Sequence, residues 1–104
     1  MTNSWNIPHW LEKEVRERDK QCVYCGENFT PASVSKKTCA SWEHIINDAK
    51  IITRENIALC CCSCNASKGQ KKLSTWLQSK YCLDRDIAKE AVAPIIQKAI
   101  ESGQ

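Results

Sequence analysis

Leu11 and Val15 lie one helical turn apart in a stretch otherwise rich in charge. That spacing predicts an amphipathic helix over residues 8–20, with Pro8 in its first turn. Glu12 with Arg16, and Glu14 with Arg18, are placed for i,i+4 ion pairs on the outer face. The helical period stops at a tight turn over 22–26, where Gly26 can take the positive φ such a turn needs. Residues 28–37 hold Pro31 among small polar side chains and read as a loop. A short strand is expected over 38–43, a structured loop around Ile51 and Ile52 over 47–55, and a second short strand over 57–59. A helix then begins at Cys62 and reaches Lys68. Leu73, Trp76, Leu77 and Tyr81 sit at core spacing for a helix starting near Ser74. Ile87, Ala91, Ile95 and Ala99 mark one face of a last helix over 84–102. Pro94 falls inside that run, so a kink or split near Ala93 is expected.

At 104 residues the chain reads as one domain, with its core over about 8–72 and a helical extension over 73–104. A chain this short buries roughly two-thirds of the surface its unfolded form exposes, so its core is marginal without a staple. Eight cysteines offer one. In a secreted chain they would form disulfides, but the first residues show no basic region followed by an apolar run. No stretch approaches a membrane span. The expectation is a cytoplasmic protein whose cysteines bind metal.

Two C-x2-C pairs, Cys22/Cys25 and Cys61/Cys64, can each point both sulfurs at a common ion and together complete a tetrahedral zinc site. The second pair has to be picked from three consecutive cysteines. Cys61 has a cysteine three residues on, whereas Cys60 meets Ser63 at that spacing. Cys39, Cys60, Cys62 and Cys82 read as small apolar fillers.

The net charge of +3 is mild, but its distribution is uneven. Lys68, Lys71, Lys72 and Lys80 share a segment without an acid, directly after the second cysteine pair. A solvated helix face is the ordinary reason for such a cluster; phosphate contact by Lys68, Lys71 and Lys72 is the functional one. Of the four tryptophans, Trp42 reads as a core anchor and Trp5, Trp10 and Trp76 as packing, with Trp5 open to exposure. His9 has no partner at metal spacing and reads as surface.

From Cys22 to Gly69 the order is cysteine pair, Glu43-His44-Ile45, Asn56-Ile57, cysteine pair, then Cys64-Asn65-Ala66-Ser67-Lys68-Gly69. This order resembles the HNH endonucleases, in the branch whose ββα-metal site is stapled by a four-cysteine zinc. The resemblance implies an α+β fold, with a small ββα-metal core, zinc knuckles and flanking N- and C-terminal helices. His44 matches the general base that takes a proton from the attacking water. Glu43 and Asn65 match the ligands of one catalytic Mg²⁺ or Mn²⁺, and Asn56 matches the residue that orients the base. The sequence departs from the family pattern in three places. Glu43 stands where aspartate is commoner, Asn65 replaces the namesake histidine, and Asn47 replaces a proline. Asp48, next in line, is a candidate substitute or additional ligand.

Residue chemistry agrees with that reading. A histidine titrates near neutral pH and can act as a base. Carboxylate and amide oxygens make a hard site for Mg²⁺ or Mn²⁺, while thiolates suit zinc. The function expected is metal-dependent hydrolysis of DNA phosphodiesters, nicking or double-stranded, by a monomer or homodimer acting on a DNA duplex. The alternatives are a zinc-stapled DNA-binding module without catalysis and a structural zinc protein with a protein partner.

Overall fold

The computed structural model describes residues 4–104; residues 1–3, part of the stretch read above for a leader, lie outside them. Helix α1 (His9–Arg18) leads into a turn over 22–26, then strand β1 (Ala40–His44), strand β2 (Ile57–Cys61) and helix α2 (Cys62–Lys68). Three short helices follow: α3 (Leu73–Trp76), α4 (Lys80–Asp84) and α5 (Pro94–Glu101). Among the described residues no helix is long and apolar enough to cross a membrane.

The two strands pair antiparallel, with Trp42 opposite Leu59 and His44 opposite Ile57. Side chains alternate across a strand, so this ribbon has two faces, and both are buried. Trp42, Ile57 and Leu59 pack on Ile7, Leu11 and Val15 of the α1 side. Ala58 and Cys60 face the other way, into a second core with Tyr24, Leu73, Trp76, Cys82 and Ile96. The ribbon is thus a septum between two small cores, which explains why every residue of β2 is buried.

Its two edges differ. Along β2, Asp19 accepts a hydrogen bond from the Leu59 amide (3.1 Å), and the Val23 amide donates to the Leu59 carbonyl (3.2 Å). Along β1 no strand is added among the described residues, so that edge is left for side chains.

Several expectations change in the folded chain. Glu14 reaches Arg54 at 2.8 Å instead of staying within α1, and Arg18 turns to Asp19 and to the carbonyls of Arg54 and Ile57. Bonds across the fold thus take over from the i,i+4 pair expected of Glu14 and Arg18. Trp10 is 58% exposed with the Arg54 guanidinium over its ring, so it does not pack in a core. The last helix is shorter than its apolar pattern: Asp86 has φ +55° and Pro94 opens α5 at its first turn, leaving turns between.

Candidate functional site

The four sulfurs of Cys22, Cys25, Cys61 and Cys64 all lie within 4.8 Å of one another. Zinc–sulfur bonds of about 2.3 Å in a tetrahedron space the sulfurs roughly 3.8 Å apart; Cys25 Sγ stands 3.9 Å from Cys61 Sγ. Local backbone builds each half. The amide of Cys25 points at Cys22 Sγ (3.5 Å) and that of Cys64 at Cys61 Sγ (3.4 Å), while Gly26 turns the first pair at φ +76°. Cys61 also caps α2, so the second pair is the junction of β2 and α2. Tyr81 donates to Cys64 Sγ at 3.3 Å from α4. Hydrogen bonds from Cys61 and Cys64 hold the Cys22 thiol down to about 2, whereas the bond to Cys22 pushes Cys64 far up and burial lifts Cys25 to about 12. Four sulfurs gathered at nearly tetrahedral spacing are a donor set that one cation completes, so the residues fit a thiolate-bound metal.

A cavity of about 640 Å³ runs along the free edge of β1, and Glu43, His44 and Asn65 all line it. Trp5, Arg16, Trp42 and Asn47 line it as well. Neighbours in sequence, Glu43 and His44 project from opposite faces of the ribbon, and the open edge lets both reach one space. Asn65 arrives from α2. Its amide nitrogen donates to Ser41 Oγ (2.9 Å) and to the Trp42 carbonyl (3.2 Å), which leaves Oδ1 without a donor among the described residues. His44 is buried against Trp5, ring centroids 5.1 Å apart, and its Nε2 has no hydrogen-bond partner among the described residues. Burial pushes the imidazole below the usual histidine range; the Asp48 carboxylate pulls it back, and the charge of Lys68 adds to the lowering.

Asn56 is placed to fix the chain after His44. Its Oδ1 accepts from the Ile46 amide (2.6 Å), and its Nδ2 donates to the carbonyls of Ile46 (3.2 Å) and Ile51 (3.1 Å). The loop between the strands is thereby tied to the first residues beyond β1.

Lys68 differs from expectation. It is fully buried: Nζ donates to the Ile45 carbonyl (3.1 Å) and pairs with Glu43 Oε2 (3.2 Å). Tyr24 donates to the same carboxylate oxygen at 2.5 Å, its phenol held protonated by burial and by the neighbouring charge. Burial raises the Glu43 carboxyl above its usual range, and Lys68 and Tyr24 draw it back. Lys68 therefore does not join Lys71 and Lys72, which are exposed, in a surface row. The spacing held the signal, because Asn65 and Lys68 stand at i,i+3 and share the face of α2 that meets β1. Tyr24 and Ser41, the other partners of this set, carry no motif that would mark them.

Asp48 is exposed and accepts from the Lys50 amide within its own turn (3.0 Å); it is not among the residues lining the cavity.

Over 86 residues, 80% of its length, the chain is 30% identical to the CRISPR-associated endonuclease Cas9 of Corynebacterium diphtheriae. The match covers 7% of that protein, so the chain spans a small fraction of the relative it resembles. No protein-family model and no solved structure matches the chain.

Proposed function

We propose that the chain is an HNH-type endonuclease domain that hydrolyses DNA phosphodiester bonds with one histidine base and one divalent cation. The observation that carries this reading is the meeting of Glu43, His44 and Asn65 in one cavity on the open edge of β1. His44 is the base. Burial lowers its proton affinity, which favours the neutral imidazole that a base requires, and a ring nitrogen takes the proton of the attacking water. Asn56 holds the His44 end of the strand by fixing Ile46, so the base keeps its direction. Glu43 and Asn65 would hold Mg²⁺ or Mn²⁺ through their side-chain oxygens, and the cation would supply charge to offset that on the phosphate oxygens. A zinc held by Cys22, Cys25, Cys61 and Cys64 would be structural, tying the turn over 22–26 to the β2–α2 junction that carries Asn65. Lys71 and Lys72 contact the phosphate backbone without reading sequence. An endonuclease among the relatives supports the same reading.

One observation favours a second reading, a zinc-stapled DNA-binding module without catalysis. Lys68 already sets a positive charge 3.2 Å from Glu43, which weakens the pull of that carboxylate on a dication. Incubating supercoiled plasmid with the purified chain in Mg²⁺, Mn²⁺ or EDTA separates the two. The nuclease converts plasmid to nicked or linear forms with added metal and not in EDTA. Retarded plasmid that stays supercoiled under every condition identifies the binding module.

A further inference from the structure

Cys39 and Cys62 lie outside both candidate metal sites, and their sulfurs are 2.7 Å apart. Unbonded thiols rest farther from each other than this, and a disulfide closes to about 2.05 Å. The approach follows from the register of the ribbon. Ala40 pairs with Cys61, so Cys39 and Cys62 are the next rung, and the Cys62 amide donates to the Cys39 carbonyl at 3.0 Å. Facing residues of an antiparallel pair have Cα atoms roughly 4.5–5.5 Å apart, inside the roughly 4.4–6.8 Å span of disulfides. With the sulfurs already 2.7 Å apart, closing the bond asks for only a small movement.

The geometry points to Cys39 and Cys62 as an oxidisable dithiol that a peroxide closes into a cross-strand disulfide while the four-cysteine site stays intact. Three observations set this pair apart from the other six cysteines. Among the described residues the cluster able to hold a metal is Cys22, Cys25, Cys61 and Cys64, so no ion protects Cys39 and Cys62. Both are half-buried, whereas Cys60 and Cys82 are closed off. Cys39 also lines the cavity along β1, which gives a small oxidant access to its sulfur.

The chemistry balances with hydrogen peroxide. The Cys39 sulfur attacks one peroxide oxygen, the O–O bond breaks, and the products are a sulfenic acid and water. The Cys62 sulfur then attacks the Cys39 sulfur, the S–O bond breaks, and the hydroxyl leaves as a second water with the Cys62 proton. Two thiols lose two electrons and two protons, and the peroxide takes up both. The new bond ties the residue before β1 to the first residue of α2, the helix that carries Asn65 and Lys68.

The test uses the full chain as purified with its metal, treated with increasing hydrogen peroxide and then alkylated under denaturing conditions. Intact mass, peptide mapping and metal content are read at each step. The first product should lose two hydrogens, carry six alkylated cysteines and a Cys39–Cys62 linked peptide, keep its metal, and revert with dithiothreitol. Cys39→Ser and Cys62→Ser, which remove no ligand of the four-cysteine site, should each retain metal and abolish that product. A first product with a disulfide among Cys22, Cys25, Cys61 and Cys64 and metal released would overturn the proposal. So would alkylation of both Cys39 and Cys62 while other thiols are consumed. The mapping reads the pair whether or not the chain cleaves DNA.

Discussion

Lys68 Nζ stands 3.2 Å from Glu43 Oε2, with both side chains shut away from solvent. A buried ion pair adds little over apolar packing, but removing one partner strands a charge where water cannot reach it. Lys68→Met should therefore cost about 3–5 kcal/mol of stability. Glu43→Gln in the same chain should recover part of that loss, because the stranded charge is gone. Denaturant unfolding of the two single variants and the double variant measures the coupling. Additive losses would show that the pair does not interact.

The four-cysteine site should hold one zinc per chain and supply much of the folding free energy, on the order of 10 kcal/mol in apparent binding for such sites. Cys22→Ser should yield poorly folded protein, and a strong chelator should melt the wild type. Elemental analysis with circular dichroism checks both. Folded protein without zinc would remove the staple from the account.

Lys71 and Lys72 stand exposed on the α2–α3 turn and line a separate, smaller cavity that shares Asn47 with the one holding His44. Each phosphate contact they make should contribute roughly one to the slope of log affinity against log salt. Lys71→Ala and Lys72→Ala should each lower that slope by about one for a duplex. An unchanged slope in both makes them a solvated face.

What could be read from the chain was whatever its own spacing enforces. Two intervening residues pair Cys61 with Cys64 and exclude Cys60, and the four thiols do converge. A proline opens α5 where one was expected to interrupt a helix. The partners of charged and polar groups were not legible, because they are fixed only when distant segments meet. Glu14 spaced for Arg18 finds Arg54, and Lys68 read as a surface charge finds Glu43. The Cys39–Cys62 contact is of the same kind: it follows at once from the β1–β2 register and is invisible before that register is known.

His44 gives the pH dependence a sign. A base must be neutral to accept a proton, and burial lowers the folded-state proton affinity of this imidazole. Cleavage should rise with pH and level off at a midpoint below the ordinary histidine value of about 6.5. A bound cation at Glu43 would move the midpoint in the same direction. A pH–rate profile under single-turnover conditions checks it, and a midpoint above the ordinary value contradicts a desolvated base.

The most direct test of the account is plasmid cleavage by His44→Ala in Mg²⁺ or Mn²⁺, with zinc content and circular dichroism recorded on the same preparation. General-base catalysis contributes about 10²–10⁴-fold, so the variant should lose cleavage by that factor while its zinc and fold persist. Cleavage by folded, zinc-loaded His44→Ala at the wild-type rate across neutral pH would contradict it.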